Sequence, residues 1–212
     1  MTASKPQKLR RRRRHVRDAI VLVAGRGSRL APLTDTMPKC LVELNGEPLV
    51  RHSLTVARSI FHDNSWLVTG HSAEDLKISA GGLASHVLYN PEYAQGIGSS
   101  IACGAAACSD RADAIVIMLA DQPLISRSHL EDLGHCWTGA ADAIVATEFA
   151  GVLGPPVLFG REHFAELCAL RGDTGAKQLL KAHAGAITRV RFDPAAVDID
   201  TPEDLEKLVS PD

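Results

Sequence analysis

The sequence has no apolar run long enough to cross a membrane and no pair of cysteines spaced as CxxC. A membrane-spanning helix needs roughly 18 consecutive apolar residues, so we expect a soluble protein without a membrane span. The five cysteines are odd in number and irregularly spaced, which argues against zinc or redox motifs and favours reduced, structural thiols. The N-terminal stretch MTASKPQKLRRRRRHVR is too polar for a signal peptide, and we therefore expect a cytoplasmic location.

Histidine motifs for metal binding are also missing. The histidines beyond the N-terminal stretch show neither HExxH nor another paired spacing. We therefore interpret them as surface or hydrogen-bonded polar residues rather than metal ligands. They are His52, His62, His71, His86, His129, His135, His163 and His183.

Positive charge is concentrated in KLRRRRRHVR at residues 8–17, although the net charge of the chain is only −2. Such runs usually stay solvated, so we predict a disordered basic arm over residues 1–17. The alternative is contact of this arm with nucleic acid or an anionic surface, which the lack of base-stacking aromatic residues disfavours. Residues 18–212 suit one domain, because a single hydrophobic core serves up to roughly 250 residues.

Apolar runs and helical patterns alternate along residues 18–212, which predicts an α/β domain with a mostly parallel sheet. Short β-branched runs predict strands at 19–24, 65–70, 86–90, 113–119, 142–149 and 187–192, with a short last strand at 197–199. Helical patterns occupy 48–60, 72–79, 98–108, 128–137, 161–171, 175–184 and 201–209. Ser128 and Glu131 have the spacing of a capping box at the start of one helix.

The first predicted strand runs into AGRGSRL at residues 24–30. Glycines let a backbone approach a ligand closely, and successive N–H groups in such a turn form an anion-binding concavity. The stretch is neither a Walker motif nor GxGxxG, and by itself it also fits a structural turn. Arg26 and Arg29, with Lys39 after Pro38, add cations able to surround a polyphosphate at the carboxyl edge of the sheet.

Carboxylates follow two of the apolar runs. Asp121 comes after IVIMLA, at the carboxyl end of a central strand, where open α/β sheets bind their ligands. Asp198 and Asp200 alternate in VDID, so both point to one face if that segment is extended. Oxygen ligands from distant strand ends suit six-coordinate Mg²⁺, while the alternative for all three acids is helix capping.

Two further stretches carry small or polar residues. In GIGSS at residues 96–100, Ser99 and Ser100 open a helix and face a base or phosphate, or else they only begin that helix. Residues 154–180 contain an amphipathic helical pattern that ends at Gly172. In a functional interpretation, Gly172, Asp173 and Gly175 shape a loop over an acceptor.

Together these motifs resemble the MobA-like NTP transferase superfamily. AGRGSRLAPLTDTMPKCLVELNGEPLV is similar to the opening signature AGxGxRLxPLTxxxPKxLxxxxGxPLI of nucleotidyltransferases. YNPEYAQGIGSSIACG and GPPVLFGREHFAELCALRGDTGAKQLL resemble segments of the molybdenum-cofactor cytidylyltransferase (MocA-like) branch. The resemblance implies a Rossmann-like three-layer α/β/α domain of the nucleotide-diphospho-sugar transferase type.

The resemblance also implies the roles of single residues. Asp121 and Asp200 are expected to bind a catalytic Mg²⁺, with Asp200 favoured over Asp198 by alignment with the family motif. Arg29 and Lys39 are expected on the polyphosphate, with Arg26 assisting, and the catalytic set is Arg29, Lys39 and Asp121. The nucleotide-binding set is Ala24, Gly25, Arg26, Gly27, Ser28, Arg29, Lys39, Gly70, Ser99, Ser100 and Asp121. The acceptor-binding set is Pro156, Gly172 and Asp173.

The implied partners are a nucleoside triphosphate and a small phosphorylated acceptor, whose phosphate attacks the α-phosphorus and expels pyrophosphate. The VAG opening favours CTP, and residues 89–104 and 154–180 favour molybdopterin as the acceptor. Residues 28–50 resemble sugar-phosphate and phosphocholine nucleotidyltransferases instead, and Pro155 stands where the MocA-like branch has histidine. A sugar 1-phosphate or small phosphorylated alcohol is therefore the alternative acceptor. A non-catalytic nucleotide-binding regulator is a third hypothesis, which the acids and cations together disfavour.

Overall fold

The computed structural model describes residues 15–23, 38–173, 175–199, 204, 205 and 208, and the structural statements below concern these residues. Its strands are β1 (Arg17–Leu22), β2 (Glu43–Leu44), β3 (Glu47–Pro48), β4 (Ser65–Thr69), β5 (His86–Tyr89), β6 (Ala114–Leu119), β7 (Ile144–Phe149), β8 (Val152–Gly160) and β9 (Ile187–Arg191). Its α-helices are α1 (Leu49–Phe61), α2 (Ala73–Ala80), α3 (Ile97–Cys108), α4 (Arg127–Cys136), α5 (Phe164–Cys168) and α6 (Lys177–Ala182). None of these helices is long and apolar enough to cross a membrane.

Seven of the described strands form one sheet in the order β5-β4-β1-β6-β8-β7-β9. β1 pairs in parallel with β4 and β6, and β4 pairs in parallel with β5. β8 runs antiparallel to both β6 and β7, while β9 pairs in parallel with β7. The carboxyl ends of β5, β4, β1 and β6 therefore meet at one edge of the sheet, which we call the carboxyl edge.

Both faces of the sheet are covered by helices. Successive side chains of a strand point to opposite faces, and in β1 Ala19 and Val21 pack in a cluster with residues of α1, α2 and α4. Ile20 and Leu22 pack on the other face with residues of α3, α5 and α6. A parallel sheet buried on both faces needs such apolar strands, and the prediction of a three-layer α/β/α domain is confirmed.

The main difference from the predicted elements is β8, which lies inside the sheet between β6 and β7. Its sequence VLGPPVLFG contains two glycines and two prolines, which are rare within strands. Proline lacks the N–H that a strand ladder needs, and the β7–β8 register shifts between Ala146 and Thr147, opposite this stretch. The short β2–β3 hairpin was also not predicted. Each of its strands has only two residues, which are too few to show an alternation of apolar and polar side chains.

Three smaller predictions are wrong. The helix expected over 161–171 is a 3-10 turn followed by the short α5. The N-cap of α4 is Ser126 rather than Ser128, since Ser126 Oγ accepts a hydrogen bond from the backbone N–H of His129 at 3.2 Å. The described residues 197–199 form no strand. Of the predicted basic arm, residues 1–14 lie outside the described residues, and Arg17 already belongs to β1.

Candidate active site

Asp121 lies two residues beyond the end of β6, at the carboxyl edge. The residue is only 4% exposed, and its Oδ2 accepts a hydrogen bond from Lys39 Nζ at 2.8 Å. Its other carboxylate oxygen, Oδ1, is buried and has no hydrogen-bond partner among the described residues. Leaving a buried polar atom unsatisfied costs about 1–3 kcal/mol, so this oxygen is more typical of a ligand-binding position than of a packed core.

Lys39 supplies a buried positive charge beside Asp121. It begins a 3-10 turn after Pro38 and is itself 4% exposed. Its Nζ lies 2.8 Å from Asp121 Oδ2 and 3.2 Å from Asp198 Oδ1. A buried ammonium requires such partners, because removing an unpaired charge from water costs several kcal/mol. Among these three described side chains, two carboxylates share one ammonium.

Asp198 reaches this site from the C-terminal part of the chain. Gln122 Nε2 donates to the carbonyl of Ala195 at 2.9 Å, which fixes the preceding turn. Ile199 is fully buried in a small apolar cluster behind the β2–β3 hairpin, and its N–H donates to the carbonyl of Asp121 at 3.3 Å. The Asp198 side chain is 43% exposed, so its carboxylate faces both the buried ammonium and solvent.

Cys40, next to Lys39, is fully buried among core residues. Burial, together with the nearby Asp121 carboxylate, raises the pKa of the Cys40 thiol far above its ordinary value. The thiol therefore stays protonated and does not act as a nucleophile. This agrees with the structural role expected for the cysteines.

A buried polar cluster lies farther along the carboxyl edge, directly after the end of β5. Asn90 is 2% exposed, and its Nδ2 donates to Ser99 Oγ at 2.9 Å and to Ser100 Oγ at 3.0 Å. Ser99 Oγ donates to the carbonyl of Glu92 or Gly96, at 2.9 and 2.8 Å. For the hydroxyl hydrogen of Ser100, no acceptor lies among the described residues. Asn90 thus fixes the first turn of α3. Sequence reasoning missed this residue, although Asn-Pro after a strand is a typical start of an Asx turn.

Gly70 follows β4 at the same edge. A Cβ atom on Gly70 would lie 2.3 Å from Tyr93 Cβ, so the close packing of Tyr93 requires glycine here. The contact places the turn at residues 93–95 directly against the end of β4. The role of Gly70 in nucleotide binding stays a prediction.

The acceptor-side loop packs on the start of α3. The N–H of Gly98 donates to the carbonyl of Gly172 at 2.9 Å, and a Cβ atom on Gly96 would lie 2.3 Å from Asp173 Oδ1. Gly172 has φ of 69°, a left-handed conformation that glycine adopts without strain. The loop is therefore adjacent to the turn that carries Ser99.

Pro156 lies in β8, immediately before Val157, which pairs with Ile117 of β6. The antiparallel register consequently brings Pro156 toward the carboxyl end of β6. Its carbonyl accepts a hydrogen bond from Thr147 Oγ1 at 2.7 Å. All three predicted acceptor residues are thus near the carboxyl edge or the start of α3.

The structure brings Lys39, Asp121 and Asp198 into direct contact. It places Asn90, which follows β5, at the same edge of the sheet, with β4 and β1 between β5 and β6. The remaining predicted site residues lie outside the described residues. They are Ala24, Gly25, Arg26, Gly27, Ser28, Arg29 and Asp200.

Comparison with known proteins identifies the family of this chain. The model of the MobA-like NTP transferase domain matches residues 19–187. Purine catabolism protein PucB from Bacillus subtilis is 33% identical over 161 residues, which cover 74% of this chain and 75% of PucB. Bifunctional protein GlmU from Kineococcus radiotolerans is 29% identical over 164 residues, which cover 76% of this chain but only 31% of GlmU.

Solved structures show the same fold. A crystal structure of Rv0371c from Mycobacterium tuberculosis has a TM-score of 0.76 and 28% identity, covering 92% of this chain and 98% of that one. A structure of the same protein in complex with manganese has a TM-score of 0.71 and 27% identity, covering 91% and 97% of the two chains. The similarity extends over nearly the whole length of both proteins.

Proposed function

Because this chain belongs to the MobA-like NTP transferase domain family, which residues 19–187 match, we propose that it transfers CMP from CTP to the phosphate of molybdopterin and releases pyrophosphate. One observation carries the proposal: Lys39 Nζ contacts Asp121 and Asp198, beside an Oδ1 of Asp121 that has no partner in the described part of the chain. Nucleotidyl transfer requires fixed positive charge and oxygen ligands at the transferred phosphate. The cluster supplies both at the edge where α/β sheets bind nucleotides.

The acids of this cluster fit a Mg²⁺ ion. Mg²⁺ prefers hard oxygen ligands and keeps several waters, and Asp121 Oδ1 is a buried carboxylate oxygen that accepts no hydrogen bond from any described residue. We propose Asp121 as one ligand and Asp200, with Asp198 as the alternative, as the second. The manganese complex of Rv0371c is consistent with a divalent cation in a relative. When bound, the cation neutralises phosphate charge and makes the α-phosphorus more electrophilic.

The residues of the chain act mainly by orientation and charge. Lys39, with Arg26 and Arg29, stabilises the negative charge that develops on the leaving pyrophosphate. Ser100 donates its hydroxyl hydrogen to the nucleotide. The loop with Gly172 and Asp173 orients the acceptor, whose ionised phosphate attacks without a general base.

Asp121→Asn tests the metal role. We expect pyrophosphate release from CTP and molybdopterin to fall by about 10²–10³-fold at saturating Mg²⁺, the range seen when one electrostatic group of a site is removed. Asp110→Asn changes an exposed aspartate without a side-chain partner in the structure and should keep full turnover. Unchanged turnover in Asp121→Asn, with an intact thermal transition, would refute the proposed site.

A second acceptor class is favoured by the signature at residues 28–50, which resembles sugar-phosphate and phosphocholine nucleotidyltransferases. Pyrophosphate release should therefore be measured with CTP, GTP and UTP, each against molybdopterin, a sugar 1-phosphate and phosphocholine. We expect the highest kcat/KM for CTP with molybdopterin. Higher kcat/KM with a sugar 1-phosphate would support the second class, and CTP binding without turnover on any acceptor would support a regulator.

A further inference from the structure

A second group of metal-ligand side chains lies at the opposite edge of the sheet. His163 ends the 3-10 turn after β8, Glu166 lies in α5, and His183 directly follows α6. Their donor atoms all lie within 4.8 Å of one another. Gly160, at the end of β8, pairs with Ala114, the first residue of β6. The length of β6, about 16 Å, therefore separates this edge from the carboxyl edge.

The hydrogen bonding of His163 leaves a ring nitrogen facing a carboxylate. His163 Nε2 lies 2.9 Å from the carbonyl of Asp142, and because a carbonyl only accepts, Nε2 carries a hydrogen. In the neutral ring Nδ1 then has a lone pair, and it lies 3.4 Å from Glu166 Oε1. Two acceptors at this distance need a cation between them, either a second ring proton or a metal ion. An N–H bond to a carbonyl is the usual outer contact of a metal-binding histidine.

The distances between these atoms suit a tetrahedral zinc ion. Zinc bonds of about 2.0–2.1 Å place neighbouring ligand atoms about 3.3 Å apart. Glu166 Oε1 lies 3.4 Å from His163 Nδ1 and 3.2 Å from His183 Nε2. The third pair of donor atoms, His163 Nδ1 and His183 Nε2, lies within 4.8 Å, so binding of the ion requires the 31% exposed His183 ring to move toward His163. The half-exposed Glu166 leaves room for water at the fourth position.

We propose that His163 Nδ1, the Glu166 carboxylate and His183 Nε2 bind a late first-row divalent metal ion, with Zn²⁺ preferred and water as the fourth ligand. Two imidazole nitrogens select such an ion over Mg²⁺. The ion connects α5 to the end of α6. It thereby fixes both ends of the segment that carries Gly172 and Asp173.

Zinc titration of the full-length chain tests this site. The protein carries no histidine tag, is stripped with a chelator, and is titrated with Zn²⁺ against a chromophoric chelator in excess Mg²⁺, which occupies oxygen-ligand sites. We expect one tightly bound Zn²⁺ per chain, and Co²⁺ in its place should give the visible absorption of a tetrahedral ion. Zinc should also raise the thermal transition of the wild type, because it binds the folded state.

Variants at exposed positions keep the test independent of folding. Glu166→Gln and His183→Asn should each weaken zinc affinity at least about 100-fold, more than loss of an outer-sphere partner does. Glu162→Gln and His135→Asn make the same chemical changes at other exposed residues and should leave zinc affinity unchanged. Asp121→Asn should also retain the zinc, since it lies at the other edge. Absence of tight zinc binding, or equal affinity in wild type and both cluster variants, would overturn the proposal.

Discussion

Lys39 and His129 are both buried, and the free-energy cost of removing a charged side chain from water is avoided differently in each. Lys39 keeps its charge and is paired with carboxylates. His129 is 1% exposed, its ring stacks on Phe192 with a centroid distance of 4.2 Å, and burial lowers its pKa to about 4. Thr147 Oγ1 donates to the carbonyl of Pro156 and so accepts from His129 Nε2 at 2.8 Å. His129 is therefore neutral in the folded protein.

The neutral His129 predicts a loss of stability at acidic pH. Its pKa falls from an ordinary 6.5 to about 4 on folding, so between these values the unfolded chain binds a proton that the native chain does not. The free energy of unfolding therefore carries no penalty from His129 above pH 6.5, where the ring is neutral in both states. The penalty grows as the pH falls from 6.5 toward 4, because only the unfolded chain then binds the proton. Between pH 6.5 and 4, the free energy of unfolding of wild type should decrease faster than that of His129→Gln, by at most about 1.4 kcal/mol per pH unit.

Urea unfolding of both proteins between pH 7 and pH 5 measures this difference. His135→Gln, at an exposed position, is the matched control and should follow the wild type. Parallel pH profiles for wild type and His129→Gln would contradict a neutral buried His129.

At the scale of elements, the loop after α5 contacts the start of α3, so the proposed acceptor side of the site lies against the proposed nucleotide side. The loop backbone approaches Gly98 so closely that a Cβ atom there would lie 2.8 Å from the carbonyl carbon and oxygen of Arg171. Backbone atoms cannot rotate away as a flexible side chain does. The position of Gly172 and Asp173 therefore depends on the absence of a side chain at residue 98.

Gly98→Ala should displace this loop. We expect a destabilisation of about 1–3 kcal/mol from overpacking. The KM for the acceptor should rise about tenfold, equivalent to about 1.4 kcal/mol, while the KM for CTP changes little. Initial-rate kinetics with each substrate varied separately measure the effect. Gly185→Ala, where an added Cβ meets open space, should change neither KM. Equal rises in both KM values would argue against a specific effect on the acceptor side.

At the scale of the whole molecule, the charged cluster joins three segments that are far apart in sequence. Lys39 is 82 residues from Asp121 and 159 residues from Asp198. Ile199 holds the last of these segments in place, since it is fully buried and bonded to the carbonyl of Asp121. Ile199 is thus a positioning residue for Asp198 and does not touch the reacting atoms.

Ile199→Ala should weaken binding of the proposed metal ion and thereby lower activity. Loss of its buried side chain should destabilise the protein by about 2–5 kcal/mol, and Ile199→Val by about 0.5–1.5 kcal/mol. The Mg²⁺ concentration for half-maximal pyrophosphate release should rise clearly in Ile199→Ala and return close to the wild-type value in Ile199→Val. An unchanged Mg²⁺ dependence in a folded Ile199→Ala protein would show that the C-terminal acids do not bind the metal.

The sequence predicted the parallel half of the sheet well, because that information is local. Apolar β-branched runs located β1, β4, β5 and β6, and the general rule for α/β sheets then placed Asp121 at a ligand-binding edge. The antiparallel β8 escaped prediction, since its glycines and prolines are typical of turns. Pairing with β6 on one side and β7 on the other nevertheless holds β8 within the sheet. The N-cap of α4 was misplaced by two residues, because Ser126 and Ser128 have equal capping chemistry.

The polar clusters depend on contacts that no spacing reveals. Asn90 stood within a quoted motif, yet its bonds to Ser99 and Ser100 became evident only in the fold. His163, Glu166 and His183 lack a zinc-motif spacing, and the packing of α5 beside the end of α6 brings them together. The interpretation of all histidines as non-ligands therefore rested on spacing alone.

The sequence by itself determined the layered α/β class, the family resemblance and the candidate acids and cations, because hydrophobic period and short motifs are properties of neighbouring residues. Tertiary structure alone decided that Lys39 lies between Asp121 and Asp198 and that no described residue donates a hydrogen bond to one oxygen of Asp121. It also decided that a second cluster of ligands lies at the far edge of the sheet. Burial and the distances between remote side chains set these features, and both arise only when the strands are ordered in the sheet and the helices pack on it.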